Sequence, residues 1–137
     1  MTERLVRAVA LALSWPASAW AACEVPATFP AGSRVESQDY ALDYRTVPPK
    51  IEIGKHFSVE AVVCPKGHAA LPKSLAVDAQ MPEHRHGMNY APKIDALGNG
   101  RFSAEGLVFH MPGRWQLIFE ARLDGRGERL TTDLVLR

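Results

Sequence analysis

Seven short segments in which apolar and polar residues alternate, with Gly-, Pro- or Asn-bearing turns between them and no useful stretch of helical period, predict an all-β chain. Their near-regular spacing over residues 38–137 points to one small antiparallel β-sandwich of immunoglobulin-like type. A chain of 137 residues with 47% hydrophobic content can build the core of a single domain.

The N-terminus reads as a secretory signal peptide over residues 1–21. Arg4 and Arg7 precede the apolar run Ala8–Trp15, and Pro16-Ala17-Ser18-Ala19-Trp20-Ala21 offers small residues at the spacing a signal peptidase reads. The run is far shorter than the ~20 residues of a bilayer span, and no other stretch approaches that length. The mature chain is therefore expected to begin near Ala22, to carry no transmembrane span and to reside in the periplasm. Such a compartment permits disulfides, and one Cys23–Cys64 bridge is the simplest use of the two cysteines. The rival use is lipid anchoring at Cys23, although Trp20 stands where an aliphatic residue is usual. Pro26, Pro30, Gly32 and Ser33 mark residues 22–37 as a lead-in segment tethered by Cys23.

Tyr40, Leu42 and Tyr44 alternate with Ala41, Asp43 and Arg45 in a first strand, which Val47-Pro48-Pro49 ends. Ile51 and Ile53 suggest an extended edge. A second strand follows Gly54, with Phe57, Val59, Ala61 and Val63 on its buried face. After the turn cluster Cys64–His68, a third strand is marked by Leu75, Val77, Ala79 and Met81. The fourth, Tyr90 to Ala96, contains Pro92 and must be short and peripheral. Gly98-Asn99-Gly100 turns the chain into a fifth strand, Arg101 to Phe109. Beyond the corner His110–Gly113, Trp115, Leu117 and Phe119 face the core from a sixth strand, and Asp124–Gly127 leads to a seventh, Leu130 to Leu136.

Residues 1–21 hold Arg4, Arg7 and Glu3, so 14 of the 16 basic and 14 of the 15 acidic residues remain beyond them. That balance, with no basic tract, excludes nucleic acid as a natural partner. No Ser/His/Asp set or phosphate loop is present, so no enzymatic activity is expected, neither a zinc hydrolase nor a copper oxidase.

Chemistry concentrates in Met81-Pro82-Glu83-His84-Arg85-His86-Gly87-Met88. In an extended segment His84, His86 and Met88 point the same way, and Gly87 permits a close bend. Imidazole suits copper, zinc, iron or nickel, whereas thioether sulfur selects chiefly for Cu(I), so the mixture favours copper and Cu(I) in particular. The bland reading makes Met81 a strand's last core residue, the histidines solvated and Glu83 an ordinary surface charge. Strand parity adds to the metal reading. Consecutive antiparallel strands send the first, third and fifth loops to one end of the sandwich, which gathers Met81, His84, His86, Met88, His110 and Met111 as the candidate ligands. His56 lies just inside the strand at that end, and its membership is left open. Cys23, Cys64 and His68 fall at the opposite end.

Gly54-Lys55-His56-Phe57-Ser58-Val59, Met81–Tyr90, Gly100-Arg101-Phe102 and Phe109-His110-Met111-Pro112-Gly113-Arg114-Trp115 together resemble the YtkA-like and FixH-like group of small exported bacterial domains. The resemblance covers most of the chain after Pro49 and implies an immunoglobulin-like sandwich in the cell envelope, linked by context to copper handling or copper-oxidase assembly. It implies no defined activity. The His/Met content is also similar to that of periplasmic copper carriers of the CopC and PCuAC kinds, without either family's full ligand pattern. The expected function is a periplasmic copper-binding protein acting as carrier, chaperone or sequestering agent, with a membrane oxidase or copper transport protein as its partner. The alternative is a non-metal interaction module assisting a cell-envelope or oxidase-assembly complex.

Overall fold

The computed structural model describes residues 23–137. The predicted leader, residues 1–21, lies outside them. Nine strands occur in order: β1 (Arg34–Glu36), β2 (Tyr40–Val47), β3 (His56–Pro65), β4 (Ser74–Met81), β5 (His86–Gly87), β6 (Lys93–Gly98), β7 (Arg101–Val108), β8 (Gly113–Leu123) and β9 (Arg126–Leu136). They form two antiparallel sheets, β1-β2-β3-β7-β6 and β5-β4-β8-β9. Setting β1 aside, this is the strand order of an immunoglobulin-like sandwich with one added edge strand in the second sheet. No helix among the described residues is long and apolar enough to cross a membrane.

All seven anticipated strands are present, with shifted ends. The fourth runs Lys93–Gly98, beginning only after Pro92, and lies at the edge of its sheet, where a residue without an N–H does no harm. The two additions are short. β1 sits inside the segment read as an irregular lead-in; its three residues bring only Val35 to the core and a polar pair besides, too little for hydrophobic periodicity to register. Arg34 is paired with Asp43 in the ladder and donates from both Nε (3.0 Å) and a terminal nitrogen (2.7 Å) to its buried carboxylate. Ile51 and Ile53, expected to extend an edge, lie instead in an irregular loop, with Ile51 packed on the core.

The two inner faces supply the core. Leu42, Val59, Val63, Leu107, Phe109, Trp115, Leu117 and Phe119 are almost completely buried, each worth ~1.5–3 kcal/mol relative to exposure for the aliphatic and Phe side chains. The sheets are also tied across one side by the Glu128 carboxylate on β9, which accepts from the Ser37 hydroxyl and from the Asp39 N–H (3.0 Å).

Parity survives the added strands because β5 is too short to traverse the sheet. The loops after β2, β4 or β5, and β7 emerge at one end; the turns after β3, β6 and β8 lie at the other. Cys23 and Cys64 meet at that second end in a disulfide with Cα atoms 5.5 Å apart. The bridge occupies the Cys23 sulfur and so replaces the lipid anchor considered from the sequence. In the turn there, Gly98, Asn99 and Gly100 all have positive φ. A Cβ on Gly100 would stand 2.3 Å from the Val63 carbonyl oxygen.

The bridge closes a separation of 41 residues, for which chain entropy gives on the order of 4 kcal/mol. Reduction, or Cys64→Ala, is expected to lower the thermal midpoint sharply, and intact mass of the exported protein should show both thiols oxidised; two free thiols or a lipid adduct would contradict the pairing. Gly100→Ala should cost about 2–4 kcal/mol, from the left-handed backbone and the carbonyl clash together, read as a drop in the urea midpoint.

Candidate metal centre

β4 ends at Met81 because Pro82 follows, and the chain reverses at once. The His84 N–H donates to the Met81 carbonyl (3.1 Å), Arg85 takes a left-handed conformation (φ 52°), and His86–Gly87 returns as β5, paired with Met81 and Gln80. The Met88 N–H then donates to the Ala79 carbonyl (3.1 Å). The segment is thus a tight hairpin and not the extended run expected. The bend falls at Arg85; Gly87 instead closes on the neighbouring strand, where a Cβ would meet the Ala79 oxygen at 3.2 Å.

The facing corner follows β7. Phe109 is buried and its carbonyl accepts from the Gly54 N–H (2.8 Å), His110 is exposed, and the Met111 carbonyl accepts from the Trp115 indole N–H (3.0 Å). Gly113, at φ 125°, leaves room for the Met81 methyl, which would stand 2.8 Å from any Cβ there.

Hairpin and corner bring three imidazoles together. His86 is central, with ring centroids 5.8 Å from His84 and 5.1 Å from His110, each pair inclined by 30°. Trp115 forms the wall beneath, edge-on to His110 at 5.3 Å and to His86 at 6.2 Å. Lone pairs lie in the plane of an imidazole, so stacked rings do not aim at one shared point; His84 and His110, both exposed, must rotate for a common ion to be held. His86 differs from them. Its Nε2 is buried and has no hydrogen-bond partner, a condition that costs ~1–3 kcal/mol unless something bonds to it.

The methionines are graded by burial. Met88 and Met111 are half-buried against the core, whereas Met81 is completely enclosed and packs as a core residue. An open concavity of about 520 Å³ borders His86, Met81 and Arg85 on the outer side. His56 opens β3 opposite Val108, at the same end but with an exposed side chain, and His68 lies in the loop after β3 at the far end. Among the described residues no three His, Cys, Asp or Glu side chains are placed to hold a metal ion. For any shared ion the imidazoles must therefore move from where they stand, and it is donor chemistry, imidazole with thioether, that suits a soft ion rather than zinc.

Two contributors escaped sequence reading. Trp115 is recognisable there only as a core residue. Arg114 clamps the hairpin to β9, donating to Glu83 (2.8 Å) and to Asp133 (2.9 Å). Glu83 is accordingly an anchor, and the hydrogen bond from Arg114 holds its carboxyl below the usual range. The clamp contributes above the ordinary carboxylate pKa and is lost as pH falls through the lowered value.

No curated protein and no solved structure matches the chain. The YtkA-like family matches residues 34–120, from β1 through most of β8 and including both the hairpin and the facing corner. That span is more than half of the sequence, and the chain belongs to the YtkA-like family.

Proposed function

We propose that this small domain is exported to the periplasm and there binds copper, Cu(I) in preference, as a carrier, chaperone or sequestering protein. The observation that carries the reading is the buried, unpartnered Nε2 of His86 between two further imidazoles. His86 is the anchoring ligand. His84 and His110, exposed on either side, complete the nitrogen donors by turning toward it, and Met88 and Met111 provide thioethers from the half-buried layer. Met81 supplies packing beneath them. Thioether sulfur matches a soft monovalent ion and carries no proton, so only the imidazole half of the donor set must be deprotonated to bind. Ligands that remain at the surface suit transfer of the ion to a membrane oxidase or a copper transport partner better than permanent retention.

A second reading, a metal-free interaction module assisting a cell-envelope or oxidase-assembly complex, draws on apolar exposure at the same end. Ile53 is 40% exposed and Tyr90 60%, and the Gly54 N–H bond to Phe109 fixes the first loop beside the histidine corner. The two readings separate on metal affinity.

Purified exported protein titrated with Cu(I), Cu(II) and Zn(II) is expected to take up copper stoichiometrically and zinc weakly. His86→Ala should abolish copper binding, and His68→Ala, at the far end, should leave it unchanged. Replacing Met88 and Met111 together by Leu should weaken Cu(I) at least about tenfold, ~1.4 kcal/mol, with a stability change below about 1.5 kcal/mol because the volumes are similar. Copper binding no tighter than that of an unrelated His-containing protein would leave the interaction module as the function.

A further inference from the structure

Trp115 lies against three parts of the candidate centre, the rings of His86 and His110 and the backbone of Met111. It is completely buried and stacked on Phe109 with centroids 4.4 Å apart and planes 10° from parallel, so it has no room to tilt. His86 and His110 both stand at steep angles to that fixed ring, 62° and 79°, and its N–H holds the backbone of Met111, the candidate thioether beside His110. We infer that Trp115 is the positioning residue of the copper site, setting where His86, His110 and Met111 stand before the ion arrives. This rests on the copper reading above. The other half of the site is held differently, by the Arg114 clamp on Glu83, and its His84 side chain stands exposed beside the left-handed Arg85.

A pre-set donor geometry spares the ion the ordering of its ligands. Removing only the N–H, by Trp115→Phe, keeps an aromatic ring over Phe109 but frees the Met111 carbonyl and the corner it anchors. The net value of a single hydrogen bond corresponds to about a two- to tenfold change in affinity, and that is the expected weakening of Cu(I) binding in competition with a chelator. Phe119→Leu provides the comparison, because Phe119 is equally buried but packs on Tyr44 in the middle of the sandwich. It should lower the melting midpoint while leaving Cu(I) affinity unchanged.

A signal from the unmodified protein removes dependence on the variant's folding. The Trp115 indole N–H resonance, assigned by through-bond spectra, should shift on saturation with Cu(I) and broaden with Cu(II). The inference is overturned by a Trp115→Phe protein that binds Cu(I) as tightly as the parent, by an equal loss in Phe119→Leu, or by an indole resonance that does not move. If the parent binds Cu(I) and His86→Ala does not, those outcomes remove the positioning role alone. A parent that takes up no Cu(I) removes both the role and the site.

Discussion

The stack of Trp115 on Phe109 is the contact on which this end of the molecule depends. Phe109 leaves one sheet at the end of β7 and Trp115 enters the other on β8, so the pair bridges the two layers where the chain crosses between them. Large rings packed between sheets contribute more buried area than any other core residues and gain further from their mutual geometry. The crossing would otherwise be a free corner of four residues. With the indole N–H bonded to the Met111 carbonyl it becomes a fixed one, and the imidazole of His110 packs nearly perpendicular to the indole.

Much of this was legible in the chain. Alternation identified most of the strands because they have one buried face, and the parity of antiparallel connections placed His84, His86 and His110 at one end and the Cys23–Cys64 bridge at the other. What alternation could not show is anything held by polar contacts or by backbone conformation. The strand at Arg34–Glu36 sets the Arg34–Asp43 pair beside a single core contact from Val35. The hairpin depends on a left-handed arginine at position 85, a conformation most residues avoid and for which glycine was the natural guess. The extended reading of the His/Met stretch consequently gave the right neighbours for a wrong reason: His84 and His86 meet across a turn, not along a strand face.

Burial sorts the six candidate ligands in a way sequence could not. Met81 is enclosed, His86 has a buried and unpartnered nitrogen, Met88 and Met111 occupy an intermediate layer, and His84 and His110 face solvent. This gradient from core to surface, rather than the number of histidines, is what the proposed ion site rests on. A buried polar atom left unpaired is unusual in a native fold and calls for a partner. The YtkA-like match extends over both the hairpin and the corner that build the gradient, so the arrangement belongs to the matched domain and not to an appendage of it.

X-ray absorption at the copper edge of the Cu(I)-loaded protein tests the account most directly. The expected spectrum contains both imidazole nitrogen and sulfur scatterers, with the sulfur contribution lost in the Met88→Leu, Met111→Leu protein and no bound copper left to give a spectrum in His86→Ala. A first shell of nitrogen and oxygen alone, or one unaltered by replacing His86, would contradict the soft-ion site built on that buried nitrogen.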